Sequence, residues 1–290
     1  MAERLSIVVS GGGCKAFWSM GAYDVLRDLL PSVQHWSGVS AGASMALAQV
    51  ADRFDVCFEH FLAAVENNAR NVYPSRFLRG EQRAFPHDDI YRNSLRQVLQ
   101  DGGFAQVRSG PPVHILLSYI KPGHPRLSTS WVAFRQFMEA RQRKELHGPE
   151  WLPPGLGEQV VCSRDAMDAE HLLDWILASS TIPPFTRVQH RAGRTYLDGG
   201  LIDNAPIRAL PIEARSEGAK VLCLISHPKP TPSGPVRGAD GAEVLYLAAR
   251  RDLPVWIWDY TSPARILEIM DIGRQDGEAL RPRLQQFLGG

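Results

Sequence analysis

Short unbroken apolar runs alternate with stretches whose apolar residues recur every three or four positions. Residues 5–9 (LSIVV) form such a run, which predicts a strand buried on both faces. Over residues 16–30, Phe17, Met20, Val25, Leu26, Leu29 and Leu30 fall at helical spacing, and Pro31 ends the segment. Residues 35–39 are a second short strand, followed by an Ala- and Met-rich helix at residues 41–50. Strand–helix–strand–helix at this spacing predicts parallel strands with helices packed on them.

The alternation continues less regularly. Helices are expected at residues 54–68, 88–99, 131–146 and 169–179, the last with Asp168 as N-cap. Strands are expected at 113–120 and 221–226, and loops at 70–87, 147–156 and 228–241, where Pro and Gly concentrate. The fold expected is α/β: a three-layer α/β/α arrangement around a mainly parallel central sheet. All 290 residues are read as one domain, with residues 241–290 as a C-terminal helical extension.

Composition narrows the function classes. A 44% hydrophobic and 22% charged chain is ordinary for a globular protein. A formal net charge of +1 supplies no global field toward nucleic acid or an anionic membrane, so no nucleic-acid partner is expected. Arg141, Arg143 and Lys144 read as a solvated helix face. The four cysteines, Cys14, Cys57, Cys162 and Cys223, are too far apart for a CxxC motif. No metal or cofactor is expected, and the thiols read as free. There is no signal-type apolar stretch at the N-terminus and no apolar run of 18 residues, so a reducing cytoplasm is the expected compartment. Nothing in the composition indicates an oligomeric state.

Candidate chemistry sits in three segments. The first is Gly11-Gly12-Gly13-Cys14-Lys15, between strand and helix. It is not a dinucleotide fingerprint, because Ala16 stands at the last glycine position and residues 34–36 offer no acid. It is not a phosphate loop, because Lys15 is followed by Ala16 rather than Ser or Thr. A nest of backbone amides for a transient oxyanion fits best. The second is Gly38-Val39-Ser40-Ala41-Gly42, a G-x-S-x-G elbow that would present the Ser40 hydroxyl clear of the backbone. The third is Asp198-Gly199-Gly200, where glycines turn the chain directly after a carboxylate. A serine nucleophile needs a base and an oxyanion site. Among the histidines, His190 and His227 could serve, but neither has a distinctive local frame.

With these segments in this order, the chain resembles the patatin-like phospholipases. "ASSTIPPF" at residues 178–185 and Asn204-Ala205-Pro206 add to the likeness, which spans about residues 5–226. The resemblance implies a Ser40–Asp198 dyad rather than a triad. It also implies an oxyanion hole from Gly11, Gly12, Gly13 and Cys14, with Lys15, Gly38, Gly42, Gly199 and Gly200 as motif residues. The expected substrate is an acyl ester of a lipid: a phospholipid, a lysolipid or a glyceride. An aspartate serving as base must be shielded from water, because a free one is too acidic. Ala16 departs from the family pattern, which has glycine there; the methyl is harmless if the position is already helical.

Two other classes stay open: an acyltransferase using the same serine with a histidine and an arginine, and a noncatalytic protein on this scaffold. "LPVWIWDY" sets Trp256, Trp258 and Tyr260 in an alternating stripe that could meet a lipid surface, so peripheral membrane contact is compatible with the sequence, as is plain core packing. Phe61, Phe77, Phe85 and Trp131 are candidate acyl-pocket residues.

Overall fold

The computed structural model describes residues 4–76, 83–149, 151–191 and 193–289. Among these, nine strands form one sheet: β1 (Arg4–Val9), β2 (Val33–Gly38), β3 (Val113–Ile120), β4 (Leu156–Cys162), β5 (His190–Arg191), β6 (Arg194–Leu197), β7 (Ala219–Ile225), β8 (Val236–Arg237) and β9 (Glu243–Ala248). The centre, in the order β3-β2-β1-β7-β9, is parallel throughout. The margins are antiparallel: β4 and β6 on β3, β5 on β6, and β8 on β9.

The helices are α1 (Phe17–Leu26), α2 (Ala41–Val50), α3 (Phe54–Glu66), α4 (His87–Leu99), α5 (Gly103–Ser109), α6 (Arg126–Gln142), α7 (Ala169–Ser179), α8 (Ile212–Arg215) and α9 (Pro263–Gly289). The continuous apolar runs of β1 and β7 have the reason expected: both sheet faces are covered. Leu5, Ile7 and Val9 join Trp18 of α1 and Leu47 of α2 in one core. Val8 points the other way, among Val221, Cys223 and Val244. A third cluster on Leu116 and Leu197 takes Ala133 and Phe137 of α6.

The C-terminal region corrects the sequence reading. It is not helical from residue 241: β9 lies within the sheet, pairing β7 from Lys220↔Glu243 to Ile225↔Ala248. A short buried apolar run fits a strand or a helix equally well by periodicity, and the open place beside β7 decided it. Only α9 is helical, and it packs on α1. There the Trp18 Nε1–H donates to Asp276 Oδ2 at 2.8 Å, and the same oxygen accepts the Arg250 N–H at 3.1 Å.

Candidate active site

The sheet brings two distant chain segments tip to tip. β4 occupies one edge of β3 along Ile120↔Leu156 to His114↔Cys162. The other edge is shared. β2 runs parallel to β3 and stops with Gly38 opposite Ile115. β6 runs antiparallel and stops with Leu197 opposite Ser118. The chains leaving β2 and β6 therefore meet over Leu116 and Leu117, carrying Ser40 and Asp198 toward each other. The approach is close. A Cβ on Gly199 would lie 2.1 Å from the Leu116 carbonyl oxygen and 2.7 Å from Val39 Cγ2.

Residues 178–185 brace both segments. The Ser40 N–H donates to Ser179 Oγ at 3.0 Å, and the Ser179 hydroxyl donates to the Leu116 carbonyl at 2.7 Å. The Asp198 N–H donates to the Thr181 carbonyl at 2.9 Å, while the Ser118 hydroxyl donates to the Asp198 carbonyl, also at 2.9 Å.

Ser40 has φ 53° and ψ −134°, a region that a side-chain-bearing residue enters only under constraint, as an elbow requires. Gly42 lets α2 start against β1: a Cβ there would lie 2.3 Å from the Val9 carbonyl oxygen. Gly38 is equally crowded by the Ala43 backbone.

In the glycine turn, Gly13 has φ +55°, and its Cβ would fall 2.0 Å from the Ile257 carbonyl oxygen. Among the described residues, the amides of Gly11, Gly12 and Gly13 have no backbone acceptor. Cys14 requires a correction. Its N–H donates to the Ile257 carbonyl at 3.0 Å, so it is already committed and is not left for an oxyanion. Ala16 sits at φ −64° and ψ −20°, an ordinary helical conformation that accepts its methyl.

Asp198 is 4% exposed. Its Oδ1 accepts the Gly200 N–H at 2.7 Å, and its carboxyl is partnered by the Ser40 hydroxyl. Burial pushes the carboxyl up to about 7, outweighing those two hydrogen bonds, which favour the charged form. A carboxylate of this basicity can take a hydroxyl proton near neutral pH.

Ser40, Asp198, Gly12, Gly13, Gly200 and Lys15 all face one cavity of about 720 Å³, a volume suited to a small ligand or an acyl chain. Apolar side chains from two sources make most of its remaining wall. One is the α6 face carrying Leu127, Trp131, Phe134 and Met138. The other is the Val255–Tyr260 stretch, which is a loop rather than a strand. That loop is tied down by the Cys14 N–H on the Ile257 carbonyl and by His87 Nε2 donating to the Trp258 carbonyl at 2.8 Å.

Of the proposed pocket residues, Trp131 lines the cavity. Phe61 is core, and Phe85 packs edge-on against Phe185. Phe77 lies outside the described residues. Trp256, Trp258 and Tyr260 all line the cavity, Tyr260 as a buried side chain.

The histidines separate clearly. His190 is exposed at the sheet margin, bound to Thr195 Oγ1 at 3.0 Å, away from the cavity. His227 lines the cavity against Gly12, and burial beside Arg141, Lys15 and Lys229 holds its ring neutral. His147 has both ring nitrogens engaged, with Asp203 Oδ1 at 3.0 Å and the Tyr246 hydroxyl at 2.9 Å. Among the described residues no histidine hydrogen-bonds Ser40. Sequence reasoning missed Arg141 and Lys229 as cavity residues. It also missed the α6 face, although the spacing 127, 131, 134, 138 was visible in the chain.

A search of curated proteins returns no match. Among solved structures, VipD from Legionella pneumophila is similar at 12% identity and TM-score 0.41, covering 97% of this chain and 67% of that one. Human GIVD cytosolic phospholipase A2 is similar at 13% identity and TM-score 0.41, covering 99% and 63%. The type III effector protein ExoU is similar at 15% identity and TM-score 0.35, covering 99% and 53%. The chain thus spans between about half and two thirds of the length of these proteins. The family description "Patatin-like phospholipase" matches residues 7–211, most of the chain and all of the segments that meet over β3. The chain belongs to the patatin-like phospholipase family, whose general chemistry is lipid hydrolysis.

Proposed function

We propose that this protein is a serine acyl hydrolase that cleaves carboxylic ester bonds of lipids through Ser40 and Asp198. The observation that carries the reading is the buried Asp198 carboxyl, raised to about 7 and partnered by the hydroxyl of a strained elbow serine. As Ser40 Oγ attacks the ester carbonyl carbon, its proton passes to Asp198. The amides of Gly12 and Gly13 hold the oxyanion; losing one such donor costs about 10²–10³ in rate. The carbon–oxygen bond to the alcohol then breaks, and Asp198 returns the proton to the leaving oxygen. Water, deprotonated by Asp198, attacks the acyl-enzyme, and Ser40 recovers its proton as the fatty acid leaves.

Lipid access has a structural counterpart. No helix among the described residues is long and apolar enough to cross a membrane. The cavity mouth nevertheless carries exposed apolar side chains, with Leu127 at 89%, Trp131 at 66% and Trp256 at 50%. Monomeric surfaces rarely cluster such groups without a partner, and a peripheral contact with a lipid surface is the reading we adopt.

The test is labelling of the full chain with a fluorophosphonate, together with hydrolysis of a fatty-acyl ester. Wild type should label and turn over, and Ser40→Ala should do neither. Equal labelling or turnover in Ser40→Ala would overturn the assignment.

A further inference from the structure

The wall of the cavity is mostly apolar, and its cationic side chains gather at one end. There, side chains from three separate elements converge. Lys15 follows the glycine turn, Arg141 stands in the last turn of α6, and Lys229 lies in the loop after β7. His227 completes the group, and it fixes where the group sits: a Cβ on Gly12 would lie 2.8 Å from its Cε1. The cations therefore flank the amides proposed to hold the oxyanion. Arg141 also extends the α6 stripe. Leu127, Trp131, Phe134, Met138 and Arg141 recur at intervals of four and three residues, so one helix face is apolar for three turns and then cationic.

These cations have no direct ion pair. Among the described residues, none of Lys15, Arg141 and Lys229 has a carboxylate within 4 Å. The acidic groups facing them are Asp252, Asp203 and Glu145. Asp203 is engaged by His147 and the Ala205 N–H, and Glu145 Oε1 by Arg143, while Glu145 Oε2 is buried without a hydrogen bond. Lys229 instead donates to the Glu145 carbonyl oxygen. Burial disfavours the charge on each, and repulsion from Arg141 adds to it at both lysines: Lys15 is lowered, and Lys229 is lowered to about 8. Arg141 is itself lowered by burial. Half-buried like charges held together without ion pairs are costly, and an anion bound among them would offset that cost.

We propose that Arg141 and Lys229, with Lys15 and His227, form an anion subsite that selects acyl esters carrying a phosphate near the scissile bond. The guanidinium offers a planar fork and the two ammonium groups act as point donors, a set that matches the several oxygens of a phosphate better than one carboxylate. Arg141 and Lys229 lie outside every segment of the glycine turn, elbow and aspartate turn. Their role is to determine specificity, and for the identity of the ester it rests on the acyl-hydrolase reading above.

The experiment compares two soluble short-chain lipids with the same acyl group, a lysophosphatidic acid and a monoacylglycerol. Binding is measured on full-length Ser40→Ala protein and turnover on protein with Ser40 intact. Each is read with the native cluster, with Arg141→Gln, and separately with Lys229→Gln in case one variant fails to fold. We expect the native cluster to prefer the phosphate-bearing lipid by about tenfold or more, and either substitution to cut that preference about tenfold. No preference with the native cluster, or a preference untouched in folded variants, overturns the subsite. Inorganic phosphate alone should compete only at about millimolar concentration; binding as tight as the lysolipid's would overturn the assignment to a lipid headgroup. Discriminating binding without turnover or fluorophosphonate labelling would uphold the subsite and overturn the hydrolase reading instead.

Discussion

At its inner end the cavity is walled by backbone. Strand ends, glycine amides and carbonyls meet at distances that leave no room for a methyl group, and side-chain hydroxyls such as those of Ser179 and Ser118 serve to lock that backbone. At its mouth the wall is made of side chains from α6 and the Val255–Tyr260 loop, many of them half in solvent. Trp258 stacks on Phe185 with ring centroids 4.4 Å apart, and Trp256 meets Trp258 at 5.3 Å, so the loop side of the mouth is ordered by ring contacts rather than by a ladder. The inner end is over-determined, and changes there should be close to all-or-none. The mouth is adaptable, and changes there should be graded.

The sharpest test of the inner end is Asp198→Asn. Loss of the base should lower turnover by on the order of 10³-fold or more, measured on any accepted ester. In the parent, kcat/KM should rise as pH approaches 7 and level off above it, because the base proposed here, Asp198, must be deprotonated to act. Stability should move the opposite way. The folded-state value of about 7 lies above the ordinary 3.8, so the stability contributed by protonated Asp198 is complete below about pH 4 and is lost as pH rises through 7. Asn cannot ionise. Asp198→Asn should therefore have a higher Tm than the parent above pH 7, with the gain vanishing toward pH 4. An equal Tm at pH 8 would mean that Asp198 is not buried as a costly charge.

Next in size is Gly13→Ala. The methyl would meet the Ile257 carbonyl oxygen, which already accepts the Cys14 N–H, and the residue would have to hold φ +55°. Left-handed backbone costs about 1–2 kcal/mol and overpacking about 1–3 kcal/mol. Denaturant unfolding should show a loss in that combined range, with turnover reduced at least about 10²-fold because the amides turn away. A variant with full activity would show that the turn is not what holds the oxyanion.

The smallest effect belongs to the mouth. Leu127→Ser should weaken binding to phospholipid vesicles by a factor of about 2–10, reflecting one exposed apolar side chain. It should lower hydrolysis of vesicle lipid more than hydrolysis of a monomeric short-chain ester. Equal losses on both substrates would place Leu127 in the reaction rather than at the lipid surface.

What could be read from the chain follows the range over which its signals act. The run of β1, the helical spacing of α1, the short β2 and the Ala-rich α2 are contiguous, and each is set by local burial. The elbow and the glycine turn are likewise local: a constrained φ/ψ at Ser40 and a helical Ala16 follow from residues a few places apart. β9 shows the limit, since nothing in "EVLYLA" separates a buried strand from a buried helix until β7 offers an edge. Arg141 shows it again. Beside Arg143 and Lys144 it reads as one more solvated charge, yet its position in the last turn of α6 faces it into the cavity, while those two neighbours are exposed.

By itself, then, the sequence determined which residues could do chemistry and the backbone geometry each would have, because turn, elbow and aspartate loop are written in adjacent glycines. Only the tertiary structure decided that they come together. Ser40 and Asp198 meet because β2 and β6 share one edge of β3 from opposite directions, a long-range pairing that no local signal encodes. The basicity of Asp198, the commitment of the Cys14 amide to Ile257 and the cluster around Arg141 follow from the same cause. Each depends on what the folded chain places against the group and on how much water it removes.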